Sequence, residues 1–153
     1  VSALGIGFLG EPDHADWHVL ARAQDAHHGV ERDAAAYDRT WLGLLGGEPR
    51  GIAARLDGTV VGIAHYVFHA GVWRGGRCYL ADLFVDAAAR RRGVATAMIR
   101  WVARDGEEHG FPRLYWNTTV DSPARALYDR VADLNEGMVV YSYRGGIGAS
   151  KSM

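Results

Sequence analysis

The chain has 153 residues, 48% hydrophobic and 23% charged, with a formal net charge of −1; that length suits one domain burying about two-thirds of its surface, and the charge gives no general pull toward nucleic acid. The single cysteine, Cys78, excludes an internal disulfide framework and a paired-cysteine metal site. No apolar run reaches the roughly 18 to 20 residues of a membrane helix, and the first residues lack the pattern of a secretion signal, so the expected address is the cytoplasm.

In chain order, a short strand is expected near Ile6 to Leu9, then Asp13 as the N-cap of a helix that places Trp17, Leu20 and Ala21 on one face. A second helix, Arg32 to Leu45, repeats that geometry with Tyr37, Trp41, Leu44 and Leu45 and ends at Gly46-Gly47. Gly51 to Leu56 and Val60 to Ala70 are strands joined by Asp57-Gly58, a strong two-residue hairpin signal. The second of them alternates Val61, Ile63, His65, Val67 and His69 on one face. A turn through Gly71 to Gly76 returns the chain as a third antiparallel strand, Arg77 to Val85.

The helix after Gly93 carries Ala95, Met98, Ile99 and Val102 on one stripe, frays at Asp105-Gly106 and stops by Gly110. Arg113 to Thr118 is the next strand, and Ser122-Pro123 starts a capped helix that runs to about Ala132. Met138 to Tyr143 closes the sheet. The expected order is β-α-α-β-β-β-α-β-α-β, one domain over residues 1–144 with a loose tail over 145–153.

Chemistry concentrates where the third strand meets the following helix, at Asp86-Ala87-Ala88-Ala89-Arg90-Arg91-Arg92-Gly93-Val94-Ala95-Thr96. Backbone N–H groups at a helix N-terminus are unpaired, the helix dipole adds positive charge there, and three guanidinium groups add more. Gly93 has no Cβ to keep the backbone away from phosphate oxygens. The segment is therefore a candidate pyrophosphate cradle, with a solvated charge run as the other reading.

Arg90-x-x-Gly93-x-Ala95 after Leu83-Phe84-Val85 resembles the acetyl-CoA signature of the GCN5-related N-acetyltransferase (GNAT) superfamily, Gln/Arg-x-x-Gly-x-Gly/Ala. His69-x-x-x-Trp73, Cys78-Tyr79-Leu80-x-Asp82-Leu83-Phe84-Val85, Leu114-Tyr115-Trp116 and Ala124-Arg125-Ala126-Leu127-Tyr128-Asp129 are similar to a small branch of it. That branch includes yeast histone and D-amino-acid acetyltransferases, and the Tyr-Leu-x-Asp strand also resembles spermidine and thialysine acetyltransferases. The resemblance covers almost the whole chain in order and spacing. It implies the GNAT fold, an α/β (α+β) arrangement around a central, mixed, mostly antiparallel sheet with one splayed strand pair.

The resemblance also implies roles. Acetyl-CoA would be the cofactor: Leu83, Phe84 and Val85 would offer backbone groups to its pantetheine arm, and Arg91, Arg92, Gly93, Val94, Ala95 and Thr96 would offer N–H groups to its pyrophosphate. The side chain of Arg90 would support the loop or a phosphate. Tyr128 would be the catalytic acid beside the sulfur, since a phenol with a pKa near 10 can protonate a departing thiolate; by its pattern alone it is a buried residue on the stripe of Ala124, Leu127 and Val131. A backbone N–H near Val85 would hold the oxyanion. No serine or cysteine nucleophile is implied, so transfer is expected to be direct.

The proton acceptor is the open position. Polyamine-type relatives carry Glu where this chain has Ala81. Asp82 either contacts the substrate ammonium as a catalytic and substrate residue or makes a structural hydrogen bond. His65 and His69 share a strand face and either feed a water chain or pack; they lack a third ligand for a metal, and no metal is expected. Trp73, His65, Asp82 and the first two helices are expected to shape the acceptor pocket, with His27-His28 at its rim or simply in solvent. Relatives also carry Gly where Arg91 stands and Asn, often bonding CoA, where Asp121 stands. Leu134-Asn135-Glu136-Gly137-Met138 replaces their usual Gly-Phe.

The expected function is acetyl-CoA-dependent acetylation of a primary amine on a small molecule: an amino acid, a polyamine or an amine-bearing natural product. The alternatives are a non-catalytic acyl-CoA-binding module and acetylation of a protein amine. No nucleic-acid or membrane partner is expected. A homodimer through Met138, Val139, Val140 and Tyr141 is expected from the resemblance.

Overall fold

Strands β1 (Leu4–Phe8), β2 (Arg50–Leu56), β3 (Thr59–His69), β4 (Arg77–Val85) and β5 (Arg113–Tyr115) lie side by side in that order in the computed structural model, which describes residues 3–145. Neighbours pair antiparallel except β4 and β5, which are parallel. Helices α1 (His14–His27), α2 (Ala34–Leu45), α3 (Val94–Glu108) and α4 (Arg125–Val131) complete the described elements. The chain divides after Thr119 into two units, and all five strands and the first three helices belong to the first.

Consecutive strand residues point to opposite faces of a sheet, and β3 demonstrates it. His65 bonds Trp17 of α1, whereas Tyr66 bonds Asp105 of α3. The sheet of the first unit is thus covered by α1 and α2 on one side and α3 on the other. On the α1 and α2 side Trp17, Leu20, Trp41 and Leu44 pack with Val60 and Ile63. Val60 and Ile63 share this face because β3 bulges at Val61, where the register steps from Gly62↔Ala54 to Val60↔Arg55. The expected alternation of Val61 with Ile63 fails for that reason: one extra residue moves every earlier side chain to the other face.

Other boundaries moved for local reasons. Asp13 stands at the N-cap of α1 as expected, but its side chain does not cap the helix; its carboxylate turns back to accept the Gly10 N–H at 2.9 Å and Arg55 Nη2 at 2.6 Å. Asp33 caps α2 instead, accepting the Ala36 N–H at 2.8 Å, so that helix starts after Arg32 rather than on it. The Asp57-Gly58 turn forms as expected, with φ of 51° and 84°. Helix α3 does not fray at Asp105-Gly106, because both are buried there. A Cβ on Gly106 would come within 2.5 Å of the Phe111 carbonyl oxygen, so this glycine is a packing contact.

In the second unit, Ser122 Oγ accepts the Ala124 N–H at 3.3 Å, but α4 starts only at Arg125, with Ala124 as its N-cap and no side-chain cap, so Ser122-Pro123 forms the turn before the helix rather than its capped first position. The expected last strand is a correction. Residues 138–143 take no strand conformation, and Met138, Val139, Val140, Tyr141 and Tyr143 are exposed. An apolar run becomes a strand only when an edge supplies its ladder, and among the described residues, positions 138–143 form no ladder. The observed order therefore ends β-α, and most of the expected tail, 146–153, lies outside the described residues. No helix among the described residues is long and apolar enough to cross a membrane.

Candidate active site

Strand β4 is where the sheet opens. It pairs with β5 only over Arg77↔Arg113, Cys78↔Leu114 and Tyr79↔Tyr115. Beyond Tyr79 the backbone from Leu80 to Val85 continues without a β5 partner, leaving polar main-chain groups on one edge. Within that stretch the register with β3 steps from Tyr66↔Leu80 to His65↔Asp82, which makes Ala81 the extra residue of a bulge. The bulge residue itself is exposed, and it re-aims the carboxylate beside it.

That carboxylate is tied into a chain of three side chains. Trp17 Nε1 donates to His65 Nε2 at 2.9 Å, and His65 Nδ1 lies 2.8 Å from Asp82 Oδ2. An indole N–H can only donate, so Nε2 of His65 accepts, its proton sits on Nδ1, and Nδ1 donates to Asp82. His65 is buried while the Asp82 side chain is 43% exposed, so the chain begins in the core and ends facing solvent. Both ring nitrogens of His65 are thereby committed. His69, expected to act with it, is committed elsewhere: Nε2 lies 2.8 Å from Tyr115 Oη and Nδ1 lies 3.1 Å from its neighbour's carbonyl oxygen.

At the far end of β4 a short 3-10 turn, Ala87–Ala89, leads into the arginine loop. Arg91 and Gly93 both have positive φ, 63° and 74°. A non-glycine residue in that region carries about 1–2 kcal/mol of strain, which gives a physical reason for the glycine that relatives have where Arg91 stands. Ala97 makes the first hydrogen bond of α3, to the Gly93 carbonyl, so the N–H groups of Val94, Ala95 and Thr96 precede the helical ladder. Arg90 is turned back onto the strand, where its Nε donates to the Val85 carbonyl at 3.1 Å and its guanidinium lies over the Phe84 ring. It braces the loop against β4, leaving Arg91 and Arg92 exposed.

Trp73 is 94% exposed in the β3–β4 turn, at the opposite end of β4 from the arginine loop. Asp121 and Tyr128 belong to the second unit. Asp121 is exposed in a turn before Pro123, and Tyr128 is half-buried on α4, where burial raises the pKa of its phenol. Cys78 is fully buried, and burial pushes its thiol up to about 12; it is inert packing, as its place in an apolar strand suggested.

A second cluster escaped the sequence reading. Arg32 Nε and Nη2 donate to the two oxygens of Asp25 at 2.8 and 3.2 Å, and Tyr37 Oη donates to Asp25 at 2.7 Å. Burial works to raise the Asp25 pKa, but these hydrogen bonds and the Arg32 charge outweigh it and hold the carboxyl below its usual value. The cluster borders a cavity of about 540 Å³ between α1 and α2. One signal was available: His18, Arg22 and Asp25 recur at helical spacing, on the face that flanks the one formed by Trp17 and Leu20.

A mostly antiparallel sheet whose one parallel pair opens toward the start of a helix defines the class of fold. The sequence profile of the acetyltransferase (GNAT) family matches residues 15–132, and the chain belongs to that family. It is 36% identical over 77 residues to the D-amino-acid N-acetyltransferase HPA3 of Saccharomyces cerevisiae, a match that spans about half of each protein, 49% of this chain and 48% of the relative. Among solved structures it resembles AAC(6')-Iy in complex with the bisubstrate analogue CoA-S-monomethyl-acetylneamine, with a TM-score of 0.79, 20% identity and coverage of 94% and 99% of the two chains. The ribosomal-protein-alanine N-acetyltransferase of Brucella melitensis biovar Abortus 2308 superimposes with a TM-score of 0.77 at 23% identity, covering 93% and 99%. At these identities the structural likeness is one of fold.

Proposed function

We propose that this chain is an acetyl-CoA-dependent N-acetyltransferase that acetylates a primary amine of a small molecule. The observation that carries the reading is the unpaired edge of β4 beyond Tyr79 running directly into a loop of three arginines and the N-terminus of α3. An extended amide chain ending in a pyrophosphate needs those two things in that order: a free main-chain edge, then an electropositive N–H cluster. The residues present fit such a group. The main chain of Leu83, Phe84 and Val85 would hold the pantetheine arm, and residues 91–96 the pyrophosphate. Beyond Gly93 and its immediate chain neighbours, nothing lies within 4 Å of where a Cβ on Gly93 would stand, so the approach there is open.

Acetyl-CoA, when bound, supplies the acyl group as a thioester with a thiolate leaving group. The protein supplies position and protons. Asp82, fixed through Oδ2 by His65, keeps its other oxygen for the acceptor's ammonium and draws off its proton, directly or through water. Tyr128 retains its phenolic proton at neutral pH and is the candidate to protonate the sulfur. The inert, buried Cys78 supports direct transfer without a covalent enzyme intermediate. The exposed Met138, Val139, Val140 and Tyr141 are the support for a homodimer as part of the same reading.

Thiol release from acetyl-CoA across a panel of small primary amines tests the function. Turnover of at least one amine is expected; protection by CoA against thermal unfolding with no turnover of any amine would instead mean a binding module. Asp82→Asn is expected to lower kcat/KM about 100-fold or more with CoA affinity unchanged, and an unaltered pH–rate profile would remove Asp82 from the mechanism. For the cradle, Gly93→Val forces a β-branched residue into φ +74°. Its strain of about 1–2 kcal/mol is expected to weaken CoA binding about ten-fold by calorimetry, whereas unchanged affinity would place the pyrophosphate elsewhere.

A further inference from the structure

The cavity between α1 and α2 holds charges that the proposed chemistry has not used. Arg22 and Arg32 line it together with Asp25 and Glu31; two cations against two anions leave it formally neutral but charge-separated. Such a lining suits a ligand that carries both signs better than a polycation. Arg32 is the best-defined of the four. Its Nε–Nη2 edge is taken by both oxygens of Asp25, which is itself fixed by Tyr37, so the guanidinium is held in one orientation. The other edge, with Nη1, makes no hydrogen bond among the described residues, and the side chain is 51% exposed. An ion pair that exposed adds little to folding stability. A guanidinium fixed on one edge and open on the other is suited to bidentate capture of a carboxylate.

Position links this edge to the proposed acetylation site. Arg32 lies close enough to Asp82 for that carboxylate to help raise its pKa, although its hydrogen bond to Asp25 is the larger cause. Helix α1, which lines the cavity through His18, Arg22 and Asp25, packs against β3 and β4, and its Trp17 begins the hydrogen-bonded chain to Asp82. The ring of His18 in turn packs edge-on against Tyr37. One short span of α1 therefore carries both the indole that reaches Asp82 through His65 and the side chains that line the cavity beside Arg32.

We infer that the α1–α2 cavity is a carboxylate subsite, in which Arg32, oriented by Asp25, anchors an acceptor whose amine is presented to Asp82, so that the substrate class is the amino acid. The inference rests on the acetyltransferase reading and narrows it. A polyamine or an aminoglycoside-like polycation would set a cation against the open edge of Arg32 and leave that edge without an anion, and an amine with no carboxylate would gain nothing from it.

The experiment compares acceptors that differ only by the carboxylate: phenylalanine with phenylethylamine and lysine with cadaverine, both enantiomers of each amino acid, in the thiol-release assay. The wild type is expected to favour the amino acid by about 10-fold or more in kcat/KM. Arg32→Met is expected to erase the preference, raising KM for the amino acid about 10- to 100-fold while the decarboxylated partner changes by less than about 3-fold. Unchanged CoA affinity in the variant reports an intact fold. Wild-type turnover that is equal or better for the decarboxylated amines overturns the subsite, as does an Arg32→Met loss that falls equally on both partners. Absence of turnover with every amine is a different result, and it overturns the acetyltransferase reading together with this refinement.

Discussion

Tyr128→Phe is expected to lower kcat by about 10²- to 10⁴-fold, the range lost when a positioned proton donor is removed, with a much smaller change in the affinity for CoA. The phenol is the chemistry at stake, because phenylalanine keeps the ring and its packing on α4. Burial raises the Tyr128 pKa above that of a free tyrosine, so the acid form persists through neutral pH. The sign follows directly. In the wild type the loss of activity due to Tyr128 lies above the ordinary tyrosine value of about 10, and in Tyr128→Phe that alkaline limb is absent. Steady-state rates from pH 6 to 11 check both points (about 6 to 11 spans the relevant ionisations). A variant with wild-type kcat at every pH would leave the sulfur to be protonated by solvent.

The largest stability effect is expected at Asp105, which takes no part in the proposed chemistry. This carboxylate is 7% exposed on α3 and is shared by two strands. Arg50 Nε and Nη2 donate to it at 2.9 and 3.3 Å, Tyr66 Oη donates at 2.6 Å, and His109 Nδ1 lies 3.2 Å away. The Arg50 guanidinium also lies over the rings of Phe8 and Phe68. Asp105→Ala would leave a part-buried cation and a buried hydroxyl without their acceptor, a loss of about 3 kcal/mol, the lower end of the range for breaking a fully buried pair because the Arg50 side chain is 26% exposed. Tyr66→Phe removes one donor while Arg50 still pairs, so about 1–2 kcal/mol is expected. Urea unfolding at neutral pH would measure both, and equal midpoints for Asp105→Ala and wild type would show the network to be dispensable.

The same network has a pH signature. Burial, then the hydrogen bond to Asp105, raises the Tyr66 pKa well above its usual value. A folded-state pKa that is raised gives stability fully present below the unfolded value, about 10, and lost as pH climbs toward the folded one. Stability should therefore decline on the alkaline side, and less steeply in Tyr66→Phe. Asp25 has the opposite sign. Its lowered pKa gives stability present above the unfolded carboxylate value and lost as pH falls through the folded one.

Much of the fold was legible because its signals are local. Asp57-Gly58 specifies its own hairpin through backbone conformations that glycine and aspartate tolerate. Strand β4 runs from Arg77 to Val85 as read, since β-branched and aromatic residues there end at a loop on both sides. Where reading failed, a partner distant in sequence decided. Asp105-Gly106 looks like a helix end, yet Arg50 and Tyr66 hold the first residue and the Phe111 backbone closes on the second. Met138 to Tyr143 looks like a strand, but strand residues need a neighbouring edge, and an apolar pattern carries no information about whether one is available.

The candidate site divides along the same line. By itself the sequence determined the arginine loop, the glycine that its turn requires, and the presence of a carboxylate at Asp82 beside the unexpected Ala81, because helix starts, positive φ and residue identity are properties of a few adjacent positions. Only the tertiary structure decided that β4 parts from β5 after Tyr79, and that Ala81 is a bulge that sets Asp82 opposite His65. It also decided that Trp17 fixes the tautomer of that histidine and that Asp25 turns Arg32 to face a cavity. Each of those depends on register or on packing between elements, and a hydrogen bond across 48 residues, such as that of Trp17 to His65, leaves no periodicity in the chain to be read.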